Sequence, residues 1–346
     1  MGATVNAQPS TGSRLGGIGA ALFFGLATIG AVQFLRPEGA LTTAPLTNLA
    51  HAMSTSPSSS PPPTASPTAD AFGRSGQVKV RLAWPGEHVE FPIAIAGSGD
   101  SLDYQWVNAV DLSTPEPQRA LTAAPTIAPR RPGFYHLAVI RGVTREILSE
   151  PTLVVMVPFN RKLGDWVNGY RIGTYLAERF GGGYDHPAGF VEVTPSMLDL
   201  AITKHLKLSD FVTHDDQGDV WPKYVALNPR LLDKLELIFA DLGGRVRPGL
   251  AVDMHSGFRS PSHNSHVERS ARDSRHQYGD AADLAVDADG DGRITMTDEL
   301  LVMLAVERVE SAHPDLVGGL GLYTSRRYRT PYVHIDARGK RSRWQG

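Results

Sequence analysis

A chain of 346 residues can hold two folded domains and a leader segment, and its formal net charge of −2 gives no overall basis for binding nucleic acid. It has no cysteine, which excludes disulfide staples, thiolate metal sites and cysteine nucleophiles. Any zinc must therefore be held by histidine and carboxylate; the compartment stays open, because an envelope protein with a sufficient core folds without disulfides.

After a short tail, 1–14, residues 15–35 read LGGIGAALFFGLATIGAVQFL, with no charge and one amide at Gln33. About 20 apolar residues span a bilayer core, whereas the apolar part of a cleaved signal is about 7–15 residues, so a transmembrane anchor is predicted. Gly17, Ala21 and Gly25 form a stripe of small residues through which two anchors could pair as a homodimer. Residues 36–76, centred on SPSSSPPPTASPTAD, lack apolar periodicity and predict a disordered Pro/Ser/Thr-rich linker.

At 78–82 apolar and basic residues alternate, the pattern of a half-buried strand. Further β-like runs at 88–95, 104–107, 134–140 and 153–157 are punctuated by Gly, Pro and Asp. Their spacing predicts a small β-sandwich over 77–158. It carries no catalytic constellation and reads as a spacer or binding module. From 159 onward the texture changes. Thr194-Pro195 and Asn228-Pro229 each predict a helix start, the second helix running to Gly243 with Leu231, Leu235, Phe239 and Leu242 on one face.

The chemistry concentrates in SRHQYGDAADLAVD, 274–287, and in YVHID near the C-terminus. His276 and Asp283 are seven apart, which a regular strand would place on opposite faces; a turn at Tyr278-Gly279 lets them converge. His334 and Asp336 are two apart and share one side of a strand. Zinc on His276, Asp283 and His334 would keep one position open for water, as hydrolytic zinc requires, and Asp336 is the nearest carboxylate to take the proton. By spacing alone, the same three residues fit a hydrogen-bonded structural group equally well.

The segment S-R-H-Q-Y-G-D-A-A-D matches the S-x-H-x-x-G-x-A-x-D signature of the zinc D-alanyl-D-alanine carboxypeptidases and L-alanyl-D-glutamate endopeptidases. HSGFRS, 255–260, resembles their S-G-[YF]-R-[ST] segment, and GLGLYTSRRYRTPYVHIDAR their G-x-G-x-Y…F-V-H-x-D ending. The resemblance covers 191–338. It implies an α+β domain over 159–346, of the fold shared with the hedgehog signalling domain. It also implies zinc on His276, Asp283 and His334, with Arg259 near the metal to hold a substrate carboxylate or polarise the scissile carbonyl. The reaction implied is hydrolysis of peptide bonds in peptidoglycan stem peptides, as carboxypeptidase or endopeptidase, outside the bacterial cytoplasmic membrane. One departure stands out: many members carry Glu or Asp three residues before the last histidine, where this chain has Pro331. Asp336 then either replaces that base or orients a ligand histidine. His255, His263 and His266 read as surface or hydrogen-bonded histidines, with assistance to the transition state as the further option for one of them.

DADGDGRITMTD, 287–298, has the spacing of a calcium loop of the dockerin type, and a helix is predicted over 300–309. Asp287, Asp289, Asp291, the Arg293 carbonyl, Thr295 and Asp298 would ligate a structural Ca2+, with Gly292 at the sharp turn; an acidic turn without an ion is the alternative. The basic tail from Arg338 reads as a solvated end, with contact to anionic wall polymer or lipid as the alternative. Two further functions fit parts of this pattern. A non-catalytic peptidoglycan-binding scaffold with structural zinc is favoured by Pro331. A calcium-dependent adhesion module would need the β region to carry its affinity.

Overall fold

The structure, a computed structural model, describes residues 64–91, 93–96, 101–121, 125–243, 251–324 and 330–346. The expected tail, anchor and first part of the linker lie outside these residues. Among the described residues no helix is long and apolar enough to cross a membrane. The described end of the expected linker is folded chain: Thr64–Pro67 pairs antiparallel with Ile93–Ala96, and the backbone N–H groups of Arg74 and Ser75 donate to Asp233.

The β-rich segment forms one five-stranded sheet, in the order Arg119–Leu121, Leu102–Asn108, Gly133–Arg141, Thr144–Val155, Val80–Ala83. Alternation places Leu102, Tyr104 and Trp106 on its front, where they bury with Leu137, Leu153, Val155 and Phe91. Trp106 meets Phe91 edge-on at 5.3 Å and donates its indole N–H to the Ile127 carbonyl at 2.8 Å. The expected sandwich is thus corrected. Among the described residues the front is covered, in place of a second full sheet, by residues of short segments such as His88–Val89, which pairs with Thr126–Ile127. The other face supplies Val80, Phe134, Val154 and Met156 to the core of the C-terminal half, so position 158 is no packing boundary.

In that half, the predicted helix forms over Pro229–Gly243, and Leu231, Leu235, Phe239 and Leu242 are all buried. Each such side chain contributes about 1.5–3 kcal/mol. Thr194-Pro195, by contrast, opens only the single turn Pro195–Met197. The backbone beyond it is drawn into bonds between Ile202 and Leu206 and between Leu200 and Leu208, which end the helix.

A second five-stranded sheet carries Asp283 and His334, in the order Ala251–Ser256, Ala281–Asp287, Tyr332–Asp336, Gly319–Tyr323, Ser342–Gln345. Its first four strands are antiparallel, and the last joins Gly319–Tyr323 in parallel. Leu284, Val286, Val333 and Ile335 share a core with Val302, Ala305, Val306 and Val309 of the helix Met296–Ala312. The period of two turns Asp283 and His334 to the opposite face. The tail expected to be solvated is the edge strand Ser342–Gln345, tied down by Arg341 and Arg343 on Glu307 at 2.7 and 2.8 Å.

Glu299, on the core side of this sheet, is buried, and among the described residues neither of its carboxylate oxygens has a hydrogen-bond partner, although the Tyr323 backbone favours its charged form. Desolvation raises its carboxyl above the ordinary 4.5. A raised folded-state pKa adds stability that is complete below the unfolded value and is lost as pH rises through the folded one. Glu299→Gln is therefore expected to stabilise the fold at neutral pH by on the order of 1 kcal/mol. Thermal melts at pH 7 and below pH 4.5 should show this gain and then its disappearance.

Candidate metal centre

His276 lies in the turn Arg275–Tyr278, which ends at Gly279 with φ +70°. A side chain at 279 would be strained by that backbone and would also run into the Ala226 carbonyl, 2.3 Å from an ideal Cβ. This glycine turns the chain from His276 into the strand of Asp283, as the motif led one to expect. Asp283 and His334 are then direct cross-strand partners, and Ser256 pairs with Asp283 on the other side.

His276 donates its Nδ1–H to the Gly257 carbonyl at 2.7 Å, so Nε2 is the free nitrogen. It lies 3.1 Å from His334 Nδ1 and 3.2 Å from Asp283 Oδ1, and His334 Nδ1 is 2.8 Å from the same oxygen. His334 Nε2 faces Asp336 Oδ2 at 3.2 Å, which makes Nδ1 its inward atom. Two imidazole lone pairs and a carboxylate oxygen thus converge, all within 4.8 Å of one another and on buried residues. Three acceptors meeting without a donor call for a proton or a metal cation between them. Zinc bonds of about 2.0–2.1 Å in a tetrahedron need donor separations of about 3.3 Å. The observed triangle is only slightly tighter, so the donor set fits such an ion.

The electrostatics of His276 and Asp283 agree, while His334 leans toward its charged form. Burial pulls His276 below its ordinary range, which favours the neutral ring. Burial opposes ionisation of Asp283, but His276 and His334 overcome it and hold the carboxyl well below the usual carboxylate range. His334 is raised despite its burial by hydrogen bonds to Asp283 and Asp336.

Of the two roles expected for Asp336, general base or orienter of a ligand histidine, the geometry favours the second. It is fully buried behind the His334 ring, on the side away from the three donors. Its Oδ1 accepts the Gly319 N–H at 2.8 Å and Arg338 Nε at 2.9 Å, while Oδ2 takes Arg338 Nη2 and His334. A carboxylate so engaged, and held well below the usual range by His334 and Arg338 against its burial, orients the ring. Arg259 does lie beside the centre. Its Nη2 binds Asp283 Oδ2 and its Nε binds Ser256 Oγ at 2.8 Å.

The centre opens into a cleft of about 800 Å³ whose walls include Arg259, Arg269, Arg338, Tyr323, Tyr332 and Trp344. Tyr323 and Tyr332 stack at 4.5 Å, and the Trp344 indole N–H binds Tyr323 Oη at 3.0 Å. Apart from Asp283, the carboxylates lining it are Glu268, largely exposed, and Asp273, which accepts the Tyr278 hydroxyl. Sequence reading missed Trp344, because a tryptophan in a short basic tail has no periodic partner to mark it. Of the other histidines, His255 lies 3.3 Å from Asp253 and His266 bonds the Ser262 carbonyl; neither, nor His263, joins the donor group.

In the acidic loop, the structure brings Asp287, Asp289 and Asp291 within reach of one cation. Asp298 is not turned to them. Its Oδ1 accepts the N–H groups of Ala288 and Asp289, and its Oδ2 accepts the Thr295 backbone N–H and hydroxyl O–H, capping the helix Met296–Ala312. Thr295 is the N-cap residue, its hydroxyl also accepting the Thr297 N–H, so the cap uses two of the six donors expected for calcium. Calcium therefore has no support beyond three carboxylates.

No curated protein and no solved structure matches the chain. Residues 206–300 match the model of the family described as peptidase M15, a span that contains Arg259, His276 and Asp283. His334 lies beyond the matched span and is tied to the other two by geometry. Signature, strand register and family model agree that the region 206–300 is similar to the M15 peptidases.

Proposed function

We propose that the chain is a zinc-dependent hydrolase of peptide bonds in peptidoglycan stem peptides, acting outside the bacterial cytoplasmic membrane from an anchor at 15–35. The observation that carries this reading is the convergence of His276, Asp283 and His334 at the foot of a cleft bearing Arg259, Arg269 and Arg338. Zinc held by such a set supplies Lewis acidity and activates water at neutral pH. The chain's own residues do the rest. Gly257 and Asp336 fix the two ring orientations, and Arg259, braced by Ser256, offers its remaining N–H donors to a substrate carbonyl or carboxylate. Stem peptides carry the free carboxylates that an arginine-bearing cleft favours.

A second reading, a peptidoglycan-binding scaffold with a structural metal, draws support from Pro331 and from Asp336 facing away from the donors. One assay separates the two. The purified full chain, loaded with zinc, is incubated with peptidoglycan and the soluble products are identified by mass spectrometry. New peptide fragments that vanish with His276→Ala are expected. Sedimentation of the loaded protein with peptidoglycan, without any fragment, would favour the scaffold.

A further inference from the structure

Lys234 sits in the middle of the helix Pro229–Gly243 and is fully buried. Desolvation lowers its ammonium while Glu310 favours the charge. Lysine is almost never fully buried unless paired, and this one is paired twice. Its Nζ donates to Glu310 Oε1 at 2.7 Å and to the backbone carbonyl of Asp336, also at 2.7 Å. Glu310, on the helix Met296–Ala312, accepts the Gly318 N–H at 3.1 Å through the same oxygen and binds Arg343 Nη2 through the other. Arg343 in turn donates to the Gly318 carbonyl at 2.8 Å. The cluster thus ties two helices, the approach to the Gly319–Tyr323 strand and the edge strand to residue 336.

Residue 336 is the one whose side chain holds His334 Nε2 and, with it, the direction of the inward Nδ1. A buried ion pair serving the fold alone could be replaced by apolar groups of similar volume with no loss. An apolar side chain at 234 could not bind the Asp336 carbonyl. We propose that Lys234 is a positioning residue for the metal centre, gripping the Asp336 backbone so that its carboxylate keeps His334 aimed at the ion. This rests on the zinc reading of the centre given above.

The test compares the full chain with Lys234→Met and with Lys234→Met/Glu310→Gln, the double variant leaving no lone charge of the pair buried. Zn2+ affinity is measured by competition with a chromophoric chelator, ligand geometry by the visible absorption of the Co2+ form, and metal-free stability by thermal melting. Zinc binding about 10-fold weaker or more, with an altered cobalt spectrum, is expected in both variants. It should persist in the double variant even though that protein melts above Lys234→Met, no lone charge of the pair being left buried. A double variant that binds zinc like the parent, with the same cobalt spectrum, overturns the inference and leaves the zinc reading standing. A parent chain that takes up no zinc overturns both. If Lys234→Met does not fold, the double variant decides.

Discussion

Asp283→Ala is expected to abolish zinc uptake and to lower peptide hydrolysis by more than about 100-fold, since partners one step further from a metal already cost 10–100-fold. Asp283 is the one anion of the trio. One oxygen is shared between His334 and His276 at 2.8 and 3.2 Å, and the other neutralises Arg259. Alanine leaves a guanidinium beside two imidazoles, a field that repels a divalent cation. Asp283→Asn keeps the shape without the charge and should fall between. The metal-free fold should suffer too, by about 3–5 kcal/mol, because Arg259 and His334 lose a buried partner. As the Asp283 carboxyl is held below its ordinary 3.8, this contribution is present above that pH and lost as pH falls through the depressed folded-state value. Metal content after equilibrium dialysis, with thermal melts of the apo protein, checks both statements. One zinc per chain in Asp283→Ala at parental affinity would refute the assignment.

Gly319→Ala should be nearly as damaging, although residue 319 touches none of the three donors. An ideal Cβ there would lie 2.2 Å from Asp336 Oδ2 and 3.0 Å from the Trp344 ring. Neither neighbour can yield freely, since the carboxylate is held by Arg338 and His334, and Trp344 by Tyr323. Overpacking of this kind costs about 1–3 kcal/mol. Displacing Asp336 adds a loss in zinc affinity of about 10-fold or more. Measured zinc affinity and melting temperature should therefore fall together. An unchanged affinity would mean that the Asp336 contact does not set the ring.

The metal centre was legible because its residues lie in short segments whose local geometry is stereotyped: a turn closed by Gly279, then strands of period two. The helix Pro229–Gly243 was legible from its proline start and apolar stripe. Asp336 illustrates what local pattern cannot supply. Its place on the same strand side as His334 was readable, yet whether it faced the ion or backed the ring depended on Arg338 and Gly319, and Gly319 reaches it only through sheet pairing. Asp298 was misjudged for a related reason: the spacing of a calcium loop and that of a helix cap overlap, and the backbone N–H groups won the carboxylate. Lys234 and Trp344 gave no sequence signal, because a buried lysine looks like any surface lysine of a helix and an aromatic on a terminal strand is defined by its neighbours.

The upstream sheet and the catalytic half share one apolar interior, with Val78, Val80, Phe134, Val154 and Met156 packed among Phe190, Val191, Val193 and Leu231. Backbone bonds stitch the same seam, from Lys79 to Ile202 and from Lys204 to Gln77. The sheet is therefore a buttress and cannot swing as an independent arm. A fragment trimmed at 159 would present a raw greasy wound to water, so engineering of this chain has to carry both halves together.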